Sequence, residues 1–189
     1  NAPSLVTKAD IIRYDMQCVA EGPNPNIGYG EKYIHCGILR ARPDVNVVIH
    51  AHSDTLIPFG LTKVPLRPVF LMGAWMPDPV PVFEIGDIQD GTNMMVTSNM
   101  FGDALAKSLG KGSIVLIRGH GETVSGPDIQ TATVRAYYAV INAKLETAAL
   151  KLGNGNIRYL SPAEQAKAAN GVGIGRPWEM FKAKIGEIE

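Results

Sequence analysis

The sequence predicts a protein of the α/β class in which helices pack against a mixed or antiparallel sheet. Short apolar runs rich in β-branched residues, at 45–50 and 113–118, are typical of buried strands. Segments with helical periodicity, or with residues that start and stop helices, lie between and after these runs. The gaps between the elements are short, which favours a layered sandwich.

The predicted helices begin and end at recognisable residues. The first has its apolar residues on one face and should end before Pro43, because a residue that precedes proline avoids the helical conformation. Ser98 or Asn99 is placed to cap the second helix, and Gly110 to end it. Helices are expected at 31–40, from about 98 to 109, from 127 to about 152, from 161 and from 176.

The predicted strands are short. Prolines recur between residues 56 and 86, and proline cannot donate a hydrogen bond to a strand ladder. Residues 9–19 are expected to be helical or extended, and the turn-rich stretch 21–30 to be irregular. Strands are expected at 45–50, 69–71, 82–85, 113–118 and 123–124.

Length, charge and cysteine content restrict the class of protein. A chain of 189 residues most simply forms one domain. Its 18 basic and 18 acidic residues balance without a basic run, which argues against a nucleic-acid or membrane-surface partner. No apolar run approaches the roughly 20 residues of a membrane helix, and no secretory signal is present. Cys18 and Cys36 form no metal or disulfide pattern, so a reducing compartment, the cytoplasm, is expected.

Two histidines end the first of the apolar strands. His50 and His52 are separated by one residue, so in an extended chain their side chains project from the same face about 6–7 Å apart. Two imidazoles at that separation can meet on one divalent metal ion. The alternative is a pair of histidines at a strand end that binds no metal.

A third histidine and a glutamate extend this pattern. His120 follows the strand at 113–118 and lies between two glycines, which allow a tight turn and a close approach to a ligand. Three histidines with a fourth position open are the composition of a catalytic metal site. Taken alone, His120 is a turn histidine. Glu31 is the candidate acid/base, although its spacing alone suits a solvated helix glutamate.

Four motifs connect these residues to a known family. They are Glu31-x-x-x-His35, Ala41-Arg42-Pro43-Asp44-Val45, His50-x-His52-Ser53 and Arg118-Gly119-His120-Gly121. In order and spacing they resemble the class II aldolase/adducin family, over residues 1 to about 152.

The resemblance implies roles for individual residues. His50, His52 and His120 would bind one divalent metal ion, and Glu31 would be the catalytic acid/base. His35 falls on a family histidine regarded as structural. Mn²⁺ or Zn²⁺ is expected, with Fe²⁺ or Co²⁺ as alternatives, because imidazole nitrogens suit all four ions.

The resemblance also implies an architecture. An α/β/α sandwich with a mainly antiparallel central sheet is expected, as a single domain over residues 1–189. Family members are commonly tetramers with active sites at subunit interfaces, so a homotetramer is expected. The family's early Gly-Asn-hydroxyl segment would lie upstream of Asn1, and the domain is therefore expected to lack its N-terminal segment.

The details favour one branch of the family. Its sugar-phosphate aldolases and epimerases usually carry Ser-Ser before the glutamate to hold the phosphate, whereas this chain has Tyr29-Gly30. Softer motifs are similar to the decarboxylase branch, which acts on hydroxylated aromatic or pyridine carboxylic acids. These motifs lie at 1–7, 65–69, 81–85, 159–162 and 176–179.

The leading hypothesis is a metal-dependent decarboxylase of such an acid, serving aromatic compound catabolism. The metal would act as a Lewis acid on a carboxylate and an ortho hydroxyl, and Glu31 would protonate the ring carbon. Arg67 would pair with a second carboxylate, or it is a surface arginine in a proline-rich loop. Tyr29 would stack on or hydrogen-bond the substrate, or it packs the turn.

Two alternatives remain. A sugar-phosphate aldolase or epimerase would use the same metal and would need a dense anion site. A non-catalytic, adducin-like binding protein would keep the fold and lose the ligands, yet the three histidines and Glu31 are all present. A shared fold does not decide between these functions.

Overall fold

The described part of the chain forms a four-stranded sheet with helices on both faces. The structure is a computed structural model that describes residues 5–22, 28–171 and 173–186, so part of the predicted irregular stretch, 23–27, lies outside the described residues. The strands are β1 (Val47–Ala51), β2 (Val82–Phe83), β3 (Ile114–Ile117) and β4 (Gly121–Gly126). The α-helices are α1 (Lys32–Ala41), α2 (Ile57–Leu61), α3 (Asn99–Leu109), α4 (Ile129–Leu152), α5 (Pro162–Gly171) and α6 (Gly175–Gly186).

The sheet is mixed and mainly antiparallel. Its strands lie in the order β1-β4-β3-β2. β4 is antiparallel to both of its neighbours, whereas β2 and β3 run parallel. The predicted mainly antiparallel sheet is therefore confirmed. β4 is longer than the strand predicted at 123–124. Its polar residues do not indicate a buried strand in the sequence, yet β4 is buried along its whole length.

The side chains on the two faces of β3 pack into two different hydrophobic clusters. Val115 and Ile117 pack in one cluster with residues of α1 and α3. Ile114 and Leu116 pack in the other with residues of α2 and α4. This alternation is the two-residue period of a strand that is covered on both sides. It gives the predicted α/β/α sandwich.

Three of the predicted helices, α3, α4 and α5, begin at residues whose side chains cap them. The Ser98 hydroxyl accepts a hydrogen bond from the Phe101 amide, and the Asp128 carboxylate accepts one from the Thr131 amide at 2.7 Å. Ser161 opens α5 as half of a capping box. The predicted helices at 31–40, 98–109, 127–152, 161 and 176 are thus confirmed to within a few residues.

The strand predicted at 69–71 is wrong. Residues Leu71–Gly73 form a 3₁₀ helix instead. The buried side chain of Asn142 on α4 accepts a hydrogen bond from the Val69 amide at 2.9 Å and donates one to the Arg67 carbonyl at 2.7 Å. Because a side chain satisfies this backbone, no neighbouring strand is required. The segment predicted at 9–19 contains a short 3₁₀ helix at its start, Lys8–Asp10, and an isolated antiparallel bridge between Tyr14 and Ala20.

The two cysteines differ from the prediction. The structure joins Cys18 and Cys36 in a disulfide bond, which ties the segment before α1 to α1 itself. The expectation that they form no disulfide is therefore wrong. The cytoplasmic location rested on free thiols, so it has lost that support and stays a prediction. Within the described ranges, no helix is long and apolar enough to cross a membrane.

Helices α1 and α3 cross with their backbones in contact. A Cβ atom on Gly37 of α1 would overlap backbone atoms of Gly102 on α3, and a Cβ atom on Gly102 would overlap the Tyr33 carbonyl oxygen. Two glycines therefore permit the crossing. Since Glu31 is the N-cap residue of α1, this crossing also fixes where Glu31 lies.

Replacing Gly37 by alanine is expected to lower the free energy of unfolding by about 1–3 kcal/mol, because the added methyl overpacks the crossing. Urea denaturation followed by circular dichroism measures the loss. Gly171→Ala is the control, because a Cβ there meets nothing within 4 Å, and it should leave the stability unchanged or raise it by up to about 1 kcal/mol. Equal stabilities of the two variants would contradict the close crossing.

Candidate metal centre

The first two histidines lie where β1 ends. His50 is the fourth residue of β1 and pairs with Thr123 of β4, while Ala51 pairs with Glu122. His52 follows the last residue of the strand. Residues two apart in an extended chain face the same way, so the two imidazoles come together as predicted.

The third histidine lies in the tight turn between β3 and β4. Gly119 has a φ of 68°, a left-handed conformation that glycine adopts without strain. The His120 amide donates a hydrogen bond to the Ile117 carbonyl at 3.1 Å and closes the turn. Because β4 lies between β3 and β1, the turn brings His120 beside the end of β1.

The three imidazoles converge through the same ring nitrogen. His52 Nε2 lies 3.1 Å from His50 Nε2 and 2.9 Å from His120 Nε2. With Glu31 included, one ligand atom from each of the four residues lies within 4.8 Å of all the others. The structure thus brings together the four residues that the sequence singled out for metal and acid/base chemistry.

Backbone carbonyls determine which ring nitrogen of two histidines carries the proton. His50 Nδ1 donates to the Glu122 carbonyl at 2.9 Å, and His120 Nδ1 donates to the Met94 carbonyl at 2.9 Å. A carbonyl can only accept, so Nδ1 carries the hydrogen and Nε2 of each neutral ring presents a lone pair. Lone pairs that face one another are stabilised by a cation between them. This carbonyl–histidine pairing also orients metal ligands in general.

Burial keeps His50 neutral. It lowers the pKa of His50 to about 4, against the opposing effects of the hydrogen bond to Glu122 and the charge of Glu31. At neutral pH the ring is therefore uncharged. A neutral imidazole is the form that binds a metal ion.

Glu31 supplies a buried oxygen to the same point. Its side chain is 8% exposed, with Oε1 3.2 Å from His120 Nε2 and Oε2 3.6 Å from His50 Nε2. Although Glu31 is the N-cap of α1, its carboxylate makes no capping hydrogen bond. Oε1 is buried and has no hydrogen-bond partner. A buried carboxylate is stable only when a charge or a donor compensates it.

This donor set fits a divalent metal ion. Three imidazole nitrogens and one carboxylate oxygen suit Zn²⁺, Mn²⁺, Fe²⁺ or Co²⁺. The unpartnered oxygen of Glu31 and the facing lone pairs of the histidines are both explained by a cation held among them. The residues present therefore fit the metal that the sequence motifs imply.

Tyr29 and His35 lie near enough to Glu31 for its charge to affect both side chains. Their ring centroids are 6.1 Å apart, and Tyr29 is about half exposed. Burial, together with the charge of Glu31, raises the pKa of Tyr29, so its hydroxyl stays protonated at neutral pH. The predicted contact of Tyr29 with substrate and the predicted structural role of His35 remain predictions.

Arg67 belongs to another cluster of polar groups. Its guanidinium pairs with Asp78 through two hydrogen bonds of 2.6 and 2.9 Å and lies 3.9 Å from the centre of the Tyr159 ring. Its amide donates to the buried carboxylate of Glu146, which also accepts from the Tyr159 hydroxyl. To bind a substrate carboxylate, Arg67 would have to give up its two hydrogen bonds to Asp78. That role stays a prediction.

Sequence reasoning missed two residues that contact the histidines. Met94 acts through its backbone carbonyl, for which a sequence carries no signal. Glu122 is buried, accepts the His50 proton at its carbonyl and hydrogen-bonds Ser53 through its carboxylate. A glutamate inside a buried strand is unusual, and that was the available signal.

The fold and the histidine cluster together define a class II aldolase architecture, and comparison with known families agrees. The model of the class II aldolase and adducin N-terminal domain matches residues 3–147. The chain therefore belongs to this family.

Among curated relatives, several are named decarboxylases. Decarboxylase tropJ of Talaromyces stipitatus is 32% identical over 164 residues, which are 80% of this chain and 62% of tropJ. The 3,4-dihydroxyphthalate decarboxylase of Terrabacter sp. is 27% identical over 177 residues, 89% of this chain and 70% of that enzyme. The chain thus spans less than two thirds of the length of tropJ.

Solved structures share the fold. An aldolase II superfamily protein from Pseudomonas syringae matches with a TM-score of 0.76 at 20% identity, covering 96% of this chain and 73% of that one. An L-fuculose 1-phosphate aldolase matches with a TM-score of 0.72 at 20% identity, covering 89% and 74%. Likeness at this level of identity establishes the architecture alone.

Replacing any one of His50, His52 and His120 by alanine is expected to weaken Co²⁺ binding by more than about 100-fold. Mutation of a residue that only hydrogen-bonds a metal ligand already lowers metal affinity by about 10- to 100-fold. Isothermal titration calorimetry measures the affinity. His35→Gln is the matched control and should bind one equivalent as the unaltered protein does. A cluster variant that binds Co²⁺ with unaltered affinity would contradict the assignment of that ligand.

Proposed function

We propose that this chain is the core of a metal-dependent decarboxylase that acts on a hydroxylated aromatic or pyridine carboxylic acid. The observation that carries the proposal is the buried carboxylate of Glu31, with one unpartnered oxygen, beside three convergent imidazole nitrogens. A proton donor next to a cation site is what the loss of CO₂ from such an acid needs. The name of tropJ supports the reaction, and the name of the 3,4-dihydroxyphthalate decarboxylase supports a hydroxylated aromatic acid as the substrate class.

His50, His52 and His120 would hold the metal ion, with Mn²⁺ or Zn²⁺ first and Fe²⁺ or Co²⁺ as alternatives. When bound, the ion supplies Lewis acidity to the substrate's carboxylate and neighbouring hydroxyl oxygen. The Glu122 and Met94 carbonyls keep the rings of His50 and His120 turned toward this position, so the ligands need no rearrangement.

Glu31 would deliver the proton. When the bond between the ring carbon and the carboxylate breaks, CO₂ leaves and the electron pair stays with the ring. Glu31, a carboxylate at rest, takes up one proton from solvent, donates it to that carbon and so returns to the carboxylate. Its position at the N-cap of α1 suits this step, because the α1–α3 crossing holds the carboxylate and the helix amides do not occupy it.

Two further residues have proposed roles in substrate binding. Tyr29, two residues before Glu31 and half exposed, would stack on or hydrogen-bond the aromatic ring. Arg67 would pair with a second carboxylate once released from Asp78. The proposed substrate is thus a small carboxylic acid with at least one hydroxyl group.

The competing functions are a sugar-phosphate aldolase or epimerase and an adducin-like binding protein. Tyr29-Gly30 stands where the aldolase branch usually has the serines that hold a phosphate, which speaks against the first. The convergence of all three histidines with Glu31 speaks against the second, because a binding protein needs no such cluster. The decarboxylase is therefore preferred.

The remaining parts of the proposal concern the whole protein. One domain over residues 1–189 would form a homotetramer with active sites at subunit interfaces and would serve aromatic compound catabolism in the cytoplasm. Family membership supports the assembly. The curated decarboxylases are longer than this chain, so residues outside it are proposed to complete the substrate site.

The test measures CO₂ release by the Mn²⁺- or Zn²⁺-loaded protein from ortho-hydroxy aromatic and pyridine dicarboxylates. Glu31→Gln is expected to lower kcat by about 100- to 10,000-fold, the usual contribution of a general acid. Reaction in D₂O should place deuterium on the carbon that lost CO₂. Glu179→Gln, on the exposed face of α6, is the control and should leave the rate unchanged.

A parallel assay decides between the enzyme classes. The same protein is given sugar phosphates, and release of a carbonyl product is followed. Carbonyl release without CO₂ from any acid would overturn the decarboxylase in favour of the aldolase. Full activity of Glu31→Gln would overturn the role of Glu31.

A further inference from the structure

Glu122 is a buried acid outside the predicted site. It is the second residue of β4 and only 4% exposed. Its carboxylate accepts two hydrogen bonds from one residue, Ser53: from the backbone amide at 3.2 Å and from the hydroxyl. A buried carboxylate with two donors is stable, and it restrains the group that supplies them.

Ser53 lies in the segment that connects β1 to α2. Its carbonyl accepts hydrogen bonds from the amides of Leu56 and Ile57, so it opens the turn that leads into α2. It also follows His52 directly. The carboxylate of Glu122 therefore fixes the chain on the C-terminal side of His52.

The backbone of Glu122 fixes the other side. Ala51, which precedes His52, pairs with Glu122 in the β1–β4 ladder. His52 lies outside the strand and has no ladder partner of its own, so its position depends on its two neighbours. Glu122 holds both of them.

The same residue orients a second imidazole. The Glu122 carbonyl accepts the Nδ1 proton of His50 at 2.9 Å and turns Nε2 of that ring toward the cluster. The preceding residue, Gly121, permits this close packing, because a Cβ atom there would overlap the Ala51 carbonyl oxygen and lie 3.0 Å from the His52 ring. One short stretch of β4 thus supports two of the three histidines.

We propose that Glu122 is a positioning residue of the metal centre, whose carboxylate holds Ser53 and thereby aims His52 at the ion. This inference rests on the metal centre of the proposed function, and not on the identity of the substrate. Without the carboxylate, Ser53 loses both of its hydrogen bonds to Glu122, and the start of α2 is less well fixed. The His52 ring then samples orientations in which its Nε2 no longer lies beside those of His50 and His120. The cost falls on metal affinity and on ligand geometry.

The chain contains a matched control in Glu146. It too is a buried glutamate that accepts one backbone amide, from Arg67, and one hydroxyl, from Tyr159. Neither of these hydrogen bonds involves Glu31 or any of the three histidines. A second pair of variants is Ser53→Ala and Ser125→Ala, since the buried Ser125 hydroxyl has no hydrogen-bond partner.

The experiment titrates the full chain with Co²⁺ and records affinity, visible spectrum and melting temperature. Glu122→Ala is expected to weaken Co²⁺ binding by about 10- to 100-fold and to change the spectrum at saturation. Glu122→Gln keeps one acceptor and should show a smaller change in the same direction. Glu146→Gln and Ser125→Ala should bind Co²⁺ with unaltered affinity and spectrum, whatever happens to their melting temperatures.

The outcomes separate this inference from the proposed function. Glu122 variants that lose melting temperature but keep the unaltered Co²⁺ affinity and spectrum would overturn the positioning role. If Glu122→Ala fails to fold, Glu122→Gln carries the test alone. Loss of affinity in the Glu122 variants of a protein that releases no CO₂ would support the positioning role while the decarboxylase fails. An unaltered protein that binds no Co²⁺ would overturn both.

Discussion

The structure depends on one electrostatic constraint at the end of β1. Backbone carbonyls fix the protons of His50 and His120 on Nδ1, so the Nε2 lone pair of each ring lies beside His52 Nε2, at 3.1 and 2.9 Å. The buried carboxylate of Glu31 adds a negative charge at the same point. Lone pairs and an anion that meet in a buried site are stabilised by a positive charge between them. A cation among these groups would stabilise the arrangement, and the four residues could hold one.

The rest of the fold holds these groups in place from three directions. The antiparallel pairing of β1 with β4 sets His50 and His52, and the tight turn from β3 to β4 adds His120. The close crossing of α1 and α3, which two glycines allow, delivers Glu31 from the opposite layer. Each of these contacts is between backbones or buried side chains, so the cluster rests on rigid elements. Preorganised ligands of this kind bind a metal without rearrangement.

Much of the site could be predicted because its signals are local. Two histidines one residue apart on a strand must face the same way, and glycines around His120 indicate a tight turn. Glu31 needed the family motif, since its first-turn position alone suggests a solvated glutamate. The supporting contacts could not be predicted. The Met94 carbonyl has no side-chain signature, the Asn142 amide that replaces a strand at 69–71 acts across more than 70 residues, and the Cys18–Cys36 bond joins cysteines in no recognisable motif.

X-ray absorption spectroscopy of the protein loaded with one equivalent of Zn²⁺ tests most directly whether the three imidazoles share one metal ion. Three nitrogen ligands from imidazole are expected at about 2.0–2.1 Å, with oxygen in the remaining position. The multiple-scattering features of imidazole distinguish these rings from other nitrogen donors. A spectrum with sulfur ligands, or with fewer than three imidazoles, would contradict the arrangement of the site.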